Sequence, residues 1–152
     1  MTVPNNKRLY ARLKKLHPEI PVVEDPELYS DGLLQRERWN KNPRIVLRAP
    51  DAVTLAHELA HYEEGVRGVL YDIVLDIIDW FVVPFKKLNR YITVKQETDA
   101  VKRSIHILEN NGASNRILDY TRIEGRRYID KIRNTDPKYF PMFWEAPDWY
   151  EE

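Results

Sequence analysis

The chain has 152 residues, enough for one domain with a real hydrophobic core. Its 24 Lys and Arg balance 24 Asp and Glu, so no net charge recruits nucleic acid or an anionic membrane surface. It has no cysteine, which excludes disulfides, thiolate catalysis and thiolate metal ligands and leaves four histidines as nitrogen donors: His17, His57, His61 and His106.

The first residues are basic but no apolar run follows them, so no signal peptide is read and a cytoplasmic, intracellular location is expected. Leu9, Leu13 and Leu16 stand at helical spacing over residues 6–16, and His17-Pro18 ends that run. Residues 20–25, 31–39 and 42–49 read as short strands, with Asn40 to Pro43 closing a hairpin between the last two. A helix over 52–64 is punctuated by Asp51 as N-cap and Gly65 as stop. Apolar residues then run from 66 to 83 and stop at Pro84, and further helices are expected over 93–110 and 114–133. The expected fold is α+β: a small N-terminal β-sheet packed on a mainly helical body. Residues 1–137 form its single domain, and 138–152 an irregular, acidic tail with six aromatic side chains.

The apolar run is about long enough to span a bilayer, but it carries Asp72, Asp76 and Asp79. Each costs roughly 2.5–3.5 kcal/mol near the bilayer centre, so the chain is not expected to be transmembrane. On a helix the three aspartates form one narrow stripe, the solvent edge of a mostly buried helix. An acidic wall of a cleft and an interfacial membrane contact are the sharper alternatives.

Residues 57–61 read HELAH. On a helix His57 and His61 lie about 40° apart on one face, able to meet one ion, while Glu58 stands about 100° round. That is the spacing of a zinc-binding histidine pair with an adjacent general base. Two solvated histidines on an ordinary helix are the plain alternative, and a third ligand would decide. In the helix over 93–110, Glu97 shares its face with Val101, Ser104 and Leu108, whereas Asp99, Lys102, Arg103 and His106 lie on the opposite, polar face. A carboxylate aimed into a core is costly unless paired or metal-bound, so Glu97 is the expected third ligand. An arginine partner would be the alternative for it.

HELAH followed by ETDA at 97–100 resembles the gluzincin metallopeptidases, and most closely the ImmA/IrrE-type peptidases and minigluzincins. With the preceding strand PRIVLRAP (43–50), the resemblance covers about residues 30–108. It implies a zincin-like fold with an HExxH active-site helix, a Zn2+ cofactor on His57, His61 and Glu97, and Glu58 as catalytic base. The chain departs from the family where Val101 follows ExxA in place of Asp or Asn, and in the long connection between His61 and Glu97.

The function expected is a zinc-dependent endopeptidase acting on protein or peptide substrates, with Glu58 passing a proton from water to the leaving amine. The strand at 44–48 is expected to take an extended peptide as an added edge strand. Tyr120 and Tyr128 are candidates to stabilise the oxyanion. The arginine-rich helix after 114 reads as a solvated face, so no nucleic acid is expected. The tail either packs on its own domain or plugs the cleft. The alternative function is a non-catalytic zinc-binding module that recognises a partner through that tail.

Overall fold

The computed structural model describes residues 6–37, 41–81 and 86–151. Among them run α1 (Lys7–Leu13), β1 (Val22–Glu24), β2 (Gly32–Glu37), β3 (Lys41–Leu47), α2 (Ala52–Glu63), α3 (Val66–Phe81), α4 (Lys86–Asn110), α5 (Asn115–Thr135), a single 3-10 turn (Pro137–Tyr139) and α6 (Asp148–Glu151). The architecture is α+β, with a three-stranded sheet and a mostly helical remainder.

The strand order is β1-β3-β2, with β1 parallel and β2 antiparallel to β3. This corrects the expectation for residues 44–48. They belong to the central strand, with Ile45, Val46 and Leu47 all buried, so neither edge of β3 is open to a peptide. The alternation does give a wet face, with Arg44 and Arg48 exposed beside buried Ile45 and Leu47; it is pairing with a neighbour on each edge that closes β3 to a peptide. Of the expected Asn40–Pro43 turn, Asn40 lies outside the described residues, but Lys41, Asn42 and Pro43 belong to β3 and not to a turn; the antiparallel β2–β3 pairing itself is present.

Helix α2 is the middle layer, packed against β2 and β3 on one side, α4 on another and α1 at its start. Its sequence dictates this place. Ala52, Ala56 and Ala60 recur at one-turn spacing with Leu55 and Leu59, and all five are buried, as is Ala100 on α4. Small residues let neighbouring backbones approach, while the leucines fill the space between layers, each worth about 1.5–3 kcal/mol of burial. The N-terminus is held as its residues imply: the Asp51 carboxylate accepts from the Thr54 amide at 2.8 Å. Asn6 ties that cap to α1, donating to Asp51 at 2.9 Å and accepting from the Ala52 amide at 3.3 Å. Gly65 ends the segment at φ +56, a left-handed conformation that glycine adopts without strain.

Helix α4 begins at Lys86, earlier than the expected start at 93, and its first turns are anchored by Arg90, which pairs with Asp136 beyond α5 at 3.1 Å. On α3, Asp72 and Asp76 are exposed, but so are Leu70, Val74 and Ile77, so the described part of α3 is not the mostly buried helix expected; the Asp79 side chain lies outside the described residues. No described helix is long and apolar enough to cross a membrane.

The tail packs on its own domain. Trp149 is buried in the core cluster and Tyr150 donates to Asp130 on α5. The Arg133 guanidinium lies over the rings of Phe140, Trp144 and Tyr150 at 4.7–5.9 Å.

Candidate metal centre

Helices α2 and α4 bring His57, His61 and Glu97 together, one ligand atom from each within 4.8 Å of the others. The closest approaches are His57 Nε2 to His61 Nε2 at 3.1 Å, His57 Nε2 to Glu97 Oε2 at 3.2 Å, and His61 Nε2 to Glu97 Oε1 at 3.7 Å. A tetrahedral site with bonds of about 2.0–2.1 Å has ligand–ligand edges of about 3.3 Å, so these spacings are those of a ready-made coordination face. The donor chemistry fits as well: two imidazoles and one carboxylate suit a borderline divalent cation. The group could therefore hold a metal ion.

Electrostatics point the same way. The side chains of Glu64, Glu58 and Glu97 all lie largely out of solvent, Glu64 at 4% and Glu97 at 17% exposure. Burial pulls the His57 imidazole down, but the hydrogen bond and charge of Glu97, with Glu58 and Glu64, push it up to about 9. Burial also raises the Glu97 carboxyl, and His57 and His61 more than offset it, holding the group below the ordinary carboxylate value. Three carboxylates around two imidazoles leave a demand for positive charge that a divalent cation would meet.

Glu58 stands on the same turn of α2 as His57 and is itself buried. Burial pushes its carboxyl above the ordinary value, against the pull of the His57 and His61 charges and a hydrogen bond from the Leu34 amide of β2. A carboxylate with a raised pKa beside the metal face is a stronger base than an ordinary one.

These groups open on a cavity of about 900 Å³ whose walls come from β2, α2, α4 and α5. Asp72 of α3 lines it too, so one member of the acidic stripe does reach the cleft. Both candidate tyrosines, Tyr120 and Tyr128, line the cavity. Burial is the largest influence raising both hydroxyls, but only Tyr128 also feels Glu97 and Glu58; Tyr120 responds to Glu124 and Asp51. Residues 138–151 line no part of the cavity, so the tail does not plug it.

The other histidines stand apart. His17 bridges Glu19 and Glu63 at 3.1 and 3.0 Å, and His106 is exposed, 4.0 Å from Glu109. Asp99 faces Lys95 at 3.8 Å on the helix surface. On α5, Arg122, Arg127 and Arg133 approach Asp119, Glu124 and Asp130 one turn away.

Two residues at the site went unread in the sequence. Glu64 stands one turn after His61, a spacing that was there to see within YEEG. Arg36 had no such signal. A register shift between Gln35 and Glu37 breaks the β2 ladder, and the Arg36 side chain reaches back to donate to the His61 carbonyl at 2.7 Å. Such irregularities re-aim a side chain beside functional sites.

Neither the protein-family models, the curated proteins nor the solved structures compared with this chain include a match. The residues themselves therefore carry the functional reading.

Proposed function

We propose that this chain is an intracellular zinc-dependent metallopeptidase of gluzincin type on a zincin-like fold, cleaving protein or peptide substrates. The observation that carries the proposal is the three-donor face of His57, His61 and Glu97 with buried Glu58 beside it, opening on a cavity large enough for a peptide segment. His57, His61 and Glu97 would hold the ion. Zinc bound there would lower the pKa of water and polarise the scissile carbonyl. Glu58 takes a proton from the attacking water and returns it to the departing amine; its raised pKa strengthens it as the base for the first of these transfers. Tyr128, which lines the same cavity and feels the Glu97 and Glu58 charges, would be the hydroxyl donor to negative charge developing on the carbonyl oxygen. The edge strand facing the site is β2, not β3, so β2 is the strand on which an extended substrate would lie.

The deciding experiment measures bound metal in the purified protein and hydrolysis of a broad peptide library by wild type and Glu58→Gln. Bound zinc with turnover abolished in Glu58→Gln is the expected result. Bound zinc with no turnover in either protein would select the non-catalytic zinc-binding module. That reading drew its partner surface from the tail, where Trp149 is buried and Phe143 is the aromatic left largely exposed.

A further inference from the structure

Glu64 sits just past the end of α2, and its carboxylate is nearly out of solvent at 4% exposure. Its Oε2 is completely covered yet receives no hydrogen bond. A buried, unsatisfied carboxylate oxygen is costly, on the order of a lost charge-assisted hydrogen bond or more, and calls for a reason. Among the described residues, the cationic group within 4 Å of it is His61 Nδ1, 3.9 Å away. The other ring nitrogen of His61 faces His57 and Glu97.

An imidazole that ligates through Nε2 must carry its proton on Nδ1, and that N–H then needs an acceptor. Closing the present gap to a hydrogen bond takes about 1 Å, within reach of a turn of the Glu64 side chain. The same helix end is also held by Arg36, which donates to the His61 carbonyl at 2.7 Å. The backbone of His61 is thus pinned, and its ring orientation is the degree of freedom left to fix.

We infer that Glu64 is the positioning residue of the metal centre: it accepts the Nδ1–H of His61, fixes that tautomer and directs Nε2 at the ion. The inference rests on the metal reading above. Glu64 touches neither substrate nor metal in this role; it acts through His61. The metal ion in turn supplies the positive charge that makes a buried carboxylate here tolerable.

The test compares zinc affinity, by competition with a chromophoric chelator, in wild type, Glu64→Ala and Glu64→Gln, alongside the melting temperature of each metal-free protein. Glu64→Ala should lose roughly 10- to 100-fold in affinity, the usual effect of removing such a partner. Its metal-free melting temperature should not fall, since an unsatisfied buried group has been removed. Glu64→Gln should restore most of the affinity, because its amide oxygen still accepts from Nδ1–H. Zinc binding by Glu64→Ala equal to wild type overturns the inference, as does an affinity loss matched by a fall in metal-free stability. Should Glu64→Ala fail to fold, the 15N spectrum of the zinc-loaded wild type decides. A protonated Nδ1 on His61, protected from exchange, supports the inference; metal on Nδ1 overturns it. A wild type that binds no zinc is a separate outcome, which removes the metal reading itself and this inference with it.

Discussion

Gly32 on β2 and Glu58 on α2 approach so closely that no side chain fits between strand and helix. A methyl group on Gly32 would lie 3.1 Å from both Cγ and Oε1 of Glu58, and 2.6 Å from Cγ2 of Thr54. Gly32→Ala must therefore push α2 from β2 or turn Glu58 out of place. We expect a loss of about 1–3 kcal/mol in stability, typical of overpacking, and a larger proportional loss of peptide hydrolysis than of zinc affinity. Denaturant unfolding, hydrolysis and metal titration on the same preparation check this. Wild-type turnover in Gly32→Ala would show that the close approach does not position the base.

Metal binding should be steeply pH-dependent. In the metal-free protein His57 is pushed up to about 9, chiefly by Glu97 once burial is overcome, so below that pH it holds a proton the ion must displace. Protonation competes with the metal, and affinity falls as pH falls. With one proton released, the expected slope is roughly tenfold per pH unit between about pH 6 and 8. Chelator competition across that range measures it, and a flat profile would contradict the His57 assignment.

A second pH effect belongs to stability. Burial lowers the His17 imidazole, but hydrogen bonds to Glu63 and Glu19 raise it further, leaving the folded value above the ordinary 6.5. The folded state then binds the proton more tightly than the unfolded chain. The stabilisation is fully present below about pH 6.5 and is lost as pH rises through the folded value. Wild type should therefore exceed His17→Gln in denaturant midpoint by more at acid than at alkaline pH. An equal gap at both would remove the charged pair from the account.

Trp149 offers a test of the tail. It is buried at 6% exposure and reaches the close crossing of α4 and α5, where a Cβ on Gly125 would lie 2.7 Å from Val101 Cγ1 and 3.1 Å from Trp149 Cζ3. Trp149→Ala should cost about 3–5 kcal/mol, the usual range for a large core aromatic. Because the tail lines no part of the cavity, the variant should not hydrolyse peptides faster than wild type while folded. Faster turnover would restore a latching role.

Gly125→Ala should likewise cost about 1–3 kcal/mol by overpacking against Val101. Val101→Ala in the same chain should recover part of that loss, since the two side chains compete for one space. A double-mutant cycle by thermal unfolding reads the coupling directly.

Much of this architecture was legible in the residues. Asp51, the repeating alanines and Gly65 mark α2 at both ends, because caps and close-packing residues act locally. The same 3.6-residue period placed His57 beside His61 and separated Glu97 from Asp99 and His106, since a helix face is decided by spacing alone. The early start of α4 was not legible: the Arg90–Asp136 pair that anchors it joins distant parts of the chain.

By itself, then, the sequence determined which side chains share a helix face and which groups could serve as donors. Only the tertiary structure decided that α4 lies against α2, bringing Glu97 within 3.2 Å of His57, and that β3 is central and β2 the edge beside the cavity. It alone drew Arg36 in beside His61. The physical reason is range: periodicity and capping are properties of a few neighbouring residues, whereas strand order and a bulge's redirected side chain depend on contacts between segments far apart in the chain.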